Sequence, residues 1–320
     1  MIGKDWYTCK KKKEPQKMTL TTHIGPLVLP NPILVASGTF GYAKEMAGTL
    51  DISRLGGIVP KTVTLSPRAG NKPPRTVETA AGLLNSIGLD NDGIDEFLEK
   101  KMPWLRTLGP PIILSIAAKS IDECAILGEK MASCEGIAAV ELNVSCPNVS
   151  GGVDFGSDTK LCESMTACMR QAMPFPLIVK LSPNVTKIAE IAQAAQQGGA
   201  DAIAAINTCL GLSVDWRTRR PRLGNGFGGL SGPAIKPIAL RCVQQIYRAV
   251  QIPIIGIGGI ESVEDVMEFL VAGATAIQVG TANFYDPTVT IRIIEALPNA
   301  LREAGAQNCG ELVGTLQMPV

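Results

Sequence analysis

The residues best able to do chemistry stand together at Glu141-Leu142-Asn143-Val144-Ser145-Cys146-Pro147-Asn148, with Gly151-Gly152 just beyond. Two amides, a hydroxyl and a thiol crowd around one proline. A thiol serves as a general base only through its thiolate, a minor species near neutral pH unless neighbouring cations favour it. An amide presents a donor and an acceptor together, which suits a planar heterocycle with alternating N–H and C=O groups. Taken singly, a cysteine is more often a packing residue and a strand-end asparagine more often closes a turn; their concentration in one loop argues for a site. Lys61 and Lys180 each cap an apolar run, and Asn207-Thr208 ends another. A lysine so placed pairs with an anion or stabilises charge developing on a ring, where a lone surface lysine would form only an ion pair. His23 is the single histidine, so a Ser-His-Asp triad or a His-rich metal site has little material. Proton transfer falls to Lys, Cys, Asp, Glu or Tyr.

These residues need elements to position them. Ile137–Val140 is a short apolar run leading into the thiol loop, and it reads as a buried strand. Seven similar runs accompany it: Ile33–Ala36, Gly57–Pro60, Ile112–Ile116, Leu177–Val179, Ala202–Ile206, Ile254–Ile257 and Ala276–Val279. Between most of them lie segments with apolar residues at three- and four-residue spacing, which predict helices over 121–132, 159–172, 185–197, 234–250 and 263–272, with a further helix after Ser37-Gly38-Thr39-Phe40-Gly41. Eight strands alternating with helices give a (β/α)8 TIM barrel of class α/β. An open doubly wound sheet would want Gly-x-Gly-x-x-Gly after its first strand, and that is absent. A short β-hairpin around Gly25-Pro26 precedes the first strand and is placed to close the barrel bottom. Residues 62–111 and 210–232 are too long for simple crossovers, so they are expected as insertions covering the C-terminal face, where such barrels build their sites.

The totals agree with one large folded unit. The chain has 320 residues, 46% of them hydrophobic and 18% charged, with 33 glycines and 22 prolines, so it can bury a sizeable core joined by tight connections. A net charge of +1 argues against nucleic acid as a partner, and no apolar run reaches the roughly 18 residues of a membrane span. Residues 1–17 are polar, with Lys10 to Lys13 in a row, and read as a solvated tail rather than a signal peptide; residues 18–320 are expected to form the single barrel domain. The cysteines number nine, without C-x-x-C spacing. That disfavours a disulfide framework, a metal site or a cluster held by this chain, and points to the cytoplasm.

Three glycine stretches carry the strongest physical signal. Gly228-Gly229-Leu230-Ser231-Gly232-Pro233 precedes a helix, Gly258-Gly259 follows the seventh strand, and Gly280-Thr281 follows the eighth. Glycine lets backbone N–H groups approach a phosphate, and the loops after strands seven and eight are the usual phosphate site of this fold. The residues by themselves lead to a phosphate-anchored aromatic cofactor, a small polar substrate and a cysteine that moves a proton.

At this point the chain resembles the dihydroorotate dehydrogenases, flavin enzymes of pyrimidine biosynthesis, from about residue 18 to 285. The resemblance rests on Lys61-Thr62, Ser66-Pro67-Arg68-Ala69-Gly70-Asn71, Pro74-Arg75, Leu84-Asn85-Ser86-Ile87-Gly88-Leu89, Asn143-Val144-Ser145-Cys146-Pro147-Asn148, Lys180-Leu181-Ser182-Pro183, Asn207-Thr208 and Gly228-Gly229-Leu230-Ser231-Gly232-Pro233. A cysteine at 146 is similar to the class 1 enzymes. Glu78-Thr79-Ala80-Ala81-Gly82 and Gly151-Gly152-Val153-Asp154-Phe155-Gly156 look closest to class 1B, the NAD-linked type.

The resemblance implies FMN as cofactor, with Ala36, Ser37, Gly38, Lys61, Thr62, Asn143, Lys180, Ile206 and Thr208 around its ring and ribityl parts and Gly229, Gly258, Gly259, Gly280 and Thr281 on its phosphate. It implies dihydroorotate as substrate, bound by Lys61, Asn85, Ile87, Gly88, Leu89, Asn143, Asn148, Asn207 and Thr208. Cys146 would take the C5 proton while a hydride passes from C6 to flavin N5. It also implies a homodimer with a second, iron–sulfur and FAD-bearing chain as electron acceptor. The chain departs from the family pattern in its lysine-rich start, in Ser115-Ile116-Ala117-Ala118 where an asparagine is common, and in the basic stretch Trp216 to Arg222. An FMN enzyme for another pyrimidine and a non-catalytic phosphate-binding barrel are the competing readings.

Overall fold

The computed structural model describes residues 19–145 and 155–319. The basic tail, Cys146 and Asn148 therefore lie outside the described residues. The chain opens with the expected hairpin, β1 (Thr22–Ile24) and β2 (Leu27–Leu29), followed by β3 (Ile33–Val35) and β4 (Gly57–Ile58). The first insertion carries β5 (Thr76–Thr79) and β6 (Gly82–Asn85). Next come β7 (Ile112–Ile116), β8 (Ile137–Asn143), β9 (Leu177–Leu181) and β10 (Ala202–Ala205). The second insertion holds β11 (Cys209–Leu212), β12 (Val214–Asp215), β13 (Arg220–Pro221) and β14 (Phe227–Ser231). The chain then supplies β15 (Ile254–Ile257) and β16 (Ala276–Val279).

β3, β4, β7, β8, β9, β10, β15 and β16 pair in parallel in that order and close on themselves. The pleat sends alternate residues to opposite faces. Leu34, Ile113, Ile178 and Ile255 fill the barrel axis, while their neighbours Ile33, Val35, Leu114 and Val179 pack beneath the helices. Both faces are buried, which is why these strands read as unbroken apolar runs. Ile24, Leu27 and Leu29 of the hairpin join the axial cluster. Gly25 lies against Asp201, at the N-terminal end of β10, so the hairpin plugs the bottom as its position suggested.

Helices Ile121–Ala132, Thr159–Ala172 and Val263–Ala272 occupy the expected spans; of the other two, one starts later, at Ile188, and the other, Lys236–Tyr247, falls short of its predicted span at both ends. The helix expected after Gly41 is replaced by two single turns, Lys44–Met46 and Ile52–Arg54. Gly41, Ala43 and Gly48 take positive φ there, which no helix of L-residues accommodates. Val289–Glu303 is a helix that the pattern reading missed. Val289, Ile293, Ile294, Leu297 and Leu301 form its buried stripe, interrupted on paper by Pro298. Among the described residues, no helix is long and apolar enough to cross a membrane.

The two insertions do more than cover the mouth: they pair with each other. β5-β6-β14-β11 form one antiparallel sheet, with Asn85 opposite Gly229 and Cys209 opposite Leu230. Two side-chain knots hold the first insertion. Arg75 donates to Asn71 O at 2.6 Å, Asp90 Oδ2 at 2.8 Å and Ala69 O at 2.8 Å. Asn91, buried, accepts from the N–H of Thr64 and Gly93 and donates to Thr64 Oγ1 and Leu89 O. These bonds satisfy several backbone N–H and C=O groups of the long loop and fix it over the barrel.

Candidate active site

Each parallel strand points its C-terminal end at the same mouth, and the polar residues gather there. Lys180 is the fourth residue of β9 and is buried. Its Nζ lies 3.2 Å from Ser37 Oγ, 3.4 Å from Glu141 Oε1 and 3.5 Å from Gln278 Oε1. Glu141, wholly buried in β8, also accepts from Ser37 Oγ at 3.3 Å, Ser115 Oγ at 3.2 Å and Gln278 Nε2 at 2.7 Å. Ser115 Oγ continues to Thr62 Oγ1 at 2.9 Å. Ser37, Thr62 and Lys180 were expected at a site; Glu141, Gln278 and Ser115 were not assigned to it. A polar side chain inside an apolar barrel strand was the available signal, because such a group has to be partnered.

Above this floor, Asn207 Nδ2 donates to Asn143 Oδ1 at 3.3 Å, joining the ends of β8 and β10. Asn143 Oδ1 also accepts the Ser145 N–H, and Asn207 Oδ1 accepts the Thr208 N–H. The Ser145 hydroxyl is buried and lacks a hydrogen-bond partner among the described residues. Asn85, from the insertion sheet, donates to Gly229 O at 3.2 Å. Lys61 is half-buried and has no ion-pair partner among the described residues, so its ammonium is available to an anion. Ile87, Gly88 and Leu89 follow Asn85 in the loop that the Asn71 N–H fastens at Ile87 O. No hydrogen bond among the described residues joins them to the strand-end groups.

The glycines divide by what a Cβ would meet. At Gly229 it would fall 2.0 Å from Thr208 Oγ1, and at Gly258 2.9 Å from Ala239 Cβ. At Gly259 (φ +72°) it would fall 2.9 Å from both Gly232 O and Lys236 N. These three let the loops close on one another. At Gly38 nothing lies within 4 Å, so the end of β3 borders open space, and at Gly280 a Cβ would make only ordinary contact, 3.7 Å from Ala36 Cβ. Thr281 Oγ1 donates to Ser231 Oγ at 2.7 Å, tying the end of β16 to the insertion sheet. The Gly258-Gly259 loop is clamped through Asp265, which accepts the N–H groups of Glu261 and Ser262 and the ammonium of Lys236. Burial alone would raise the Asp265 carboxyl, but Lys236 and the Glu261 N–H outweigh it and hold it low. Hydrogen bonds to Asp265 and Glu268 in turn raise Lys236. Lys236 opens the helix Lys236–Tyr247, whose N-terminus adds partial positive charge at the cradle. A buried cation, unpartnered polar atoms, open space and a glycine cradle at a helix start fit a planar cofactor with a phosphate tail.

Burial pushes the Cys162 thiol up to about 12 and that of Cys309 up to about 11. Cys124, Cys134, Cys168, Cys209 and Cys242 are also raised, in each case first by burial. All seven described thiols are therefore held protonated and poorly suited to act as a base.

Comparison with known proteins decides the family. A model of the dihydroorotate dehydrogenase family matches residues 19–301. The chain belongs to the dihydroorotate dehydrogenase family. It is 48% identical over 301 residues to a dihydroorotate dehydrogenase B (NAD(+)) catalytic subunit of Geotalea uraniireducens, covering 94% of this chain and 99% of that one. The protein of the same description in Geobacter sulfurreducens is 49% identical, with 95% and 100% covered, and that of Bacillus pumilus 47%, with 92% and 96% covered. The similarity is thus to class 1B catalytic subunits. A crystal structure described as DHODH in complex with ferulenol, from Eimeria tenella, superposes with a TM-score of 0.77 over 92% of this chain and 88% of its own, at 23% identity; it supports the barrel fold.

The crowding at Gly259 yields a prediction. In Gly259→Ala the new Cβ meets backbone atoms that cannot rotate away, and the left-handed φ adds strain of about 1–3 kcal/mol. We expect the fold to persist and FMN affinity to fall roughly tenfold or more, as read by fluorescence titration of the apoprotein; unchanged affinity would remove this loop from the phosphate site.

Proposed function

We propose that this chain oxidises dihydroorotate to orotate with FMN, as the catalytic subunit of an NAD-linked enzyme. The observation that carries the reading is the convergence of Lys61, Asn143 and Asn207 with the buried Lys180 floor at one mouth. FMN, when bound, supplies the acceptor for two electrons. Ala36, Ser37, Gly38, Thr62, Lys180, Ile206 and Thr208 would line its ring and ribityl parts. Gly229, Gly258, Gly259, Gly280 and Thr281 would hold its phosphate.

The substrate has two ring carbonyls, two N–H groups and a carboxylate. The amides of Asn85, Asn143, Asn148 and Asn207 would match the ring groups, since each offers a donor and an acceptor, and the free ammonium of Lys61 would take the carboxylate. The backbone of Ile87, Gly88 and Leu89 would close over the ring as part of the insertion, excluding water. Loss of the C5 proton to the Cys146 thiolate and of a hydride from C6 leaves the C5=C6 double bond of orotate. Cys146 is assigned by its loop neighbours and by the unsuitability of the seven described thiols. The cytoplasm is the compartment we assign, because it keeps cysteines reduced.

We further propose a homodimer built on the insertion sheet, with an iron–sulfur and FAD-bearing chain as electron acceptor. Leu210, Leu212, Val214, Trp216 and Phe227 are exposed, and Leu212 lies directly across from Phe227. A contiguous apolar face of this kind ordinarily marks an interface. The insertions also carry both signs, with Arg220 and Arg222 beside Glu78 and Asp215 in one concavity, so a second copy would be complementary to it.

Two outcomes are expected. Cys146→Ala should keep its flavin and lose on the order of 10²–10⁴-fold in turnover with dihydroorotate; near-normal turnover would reject Cys146 as the base. Sedimentation velocity should show a dimer that Leu212→Arg converts to monomer, and a monomeric wild-type chain would reject the interface.

A further inference from the structure

We propose that Glu141 is a positioning residue that sets the charge Lys180 presents to the cofactor, and through it the cofactor's reduction potential. The inference rests on the FMN reading above. Glu141 has no solvent exposure, and its carboxylate receives four side-chain donors, from Ser37, Ser115, Lys180 and Gln278. Neutral groups could have satisfied the three neutral donors. What a carboxylate adds is a negative charge, and a buried charge is costly unless it is matched. Among the described residues, Lys180 is its cation, and Glu141 is the one acid within ion-pair distance of Lys180.

The distances show how the pair is held. Gln278 Nε2 meets Glu141 Oε2 at 2.7 Å, so the carboxylate is firmly fixed. Lys180 Nζ keeps 3.2, 3.4 and 3.5 Å to its three oxygens, longer than the roughly 2.7–2.9 Å usual for a charge-assisted bond. The ammonium is therefore held by three long contacts, only one of them to a charged group. A ligand above it meets a partly neutralised cation rather than a full positive charge. In a dry site that difference acts strongly on any group that gains negative charge on reduction.

The test is the flavin midpoint potential of Glu141→Gln, measured spectrophotometrically against a redox dye. The neutral amide keeps the shape and releases the full charge of Lys180, so reduction should become easier by about tenfold, a positive shift of about 30 mV. In a Lys180→Met background the same substitution should produce a much smaller shift, because no ammonium is left whose charge Glu141 can offset. An unchanged potential in Glu141→Gln, or an equal shift with and without Lys180, would overturn the proposal and leave Glu141 a structural residue. If Glu141→Gln does not retain FMN, Glu141→Asp replaces it: the carboxylate, drawn back by one methylene, should raise the potential by less, and a wild-type value would overturn the proposal. The two readings fail separately: a wild-type chain without flavin sinks the FMN reading, whereas a flavin that dihydroorotate reduces, with no shift in the variants, sinks only this one.

Discussion

A carboxylate with no water around it has to be met by a cation and by hydrogen-bond donors, and Glu141 is met from four other elements of the barrel. Ser37 comes from the end of β3, Ser115 from β7, Lys180 from β9 and Gln278 from β16. The network therefore acts as a polar floor stretched across the barrel axis. Below it the axis is filled by Leu34, Ile113, Ile178 and Ile255; above it the strand ends diverge into loops. Displacing any one strand would leave a buried charge or donor unpaired, at a cost of several kcal/mol. The floor ties barrel closure to the geometry of the mouth.

The insertions complete the enclosure from above. A loop of this length over a barrel would ordinarily be mobile, but here the two insertions form one antiparallel sheet, and side-chain knots at Arg75 and Asn91 fix its first half. The Thr281–Ser231 bond fastens that sheet to the end of β16. Rigid positioning of this kind is what oriented transfer of a proton and a hydride requires. The same sheet turns Leu210, Leu212 and Phe227 outward to solvent.

Much of this was legible in the residues. The eight strands are apolar runs because both of their faces are buried, and the polar groups at their ends stand out against that background. Lys61, Asn143, Lys180 and Asn207 were picked out as candidate site residues for the same reason. Three features were hidden by physics that one-dimensional patterns do not carry. The pairing of Asn85 with Gly229 joins residues far apart in sequence, and no local period announces it. The helix Val289–Glu303 keeps its stripe through Pro298, a residue that normally ends one. Glu141 and Gln278 look like ordinary strand residues until the barrel closes and brings their side chains together at 2.7 Å.

The central claim is that this mouth holds a flavin and hands it two electrons from dihydroorotate. The most direct measurement is anaerobic mixing of the purified chain with dihydroorotate while the visible flavin absorbance is followed. A yellow protein whose flavin band bleaches on mixing, without any partner chain present, is the expected result. A protein that holds FMN but stays yellow with dihydroorotate would contradict it, and would point to another pyrimidine as the substrate.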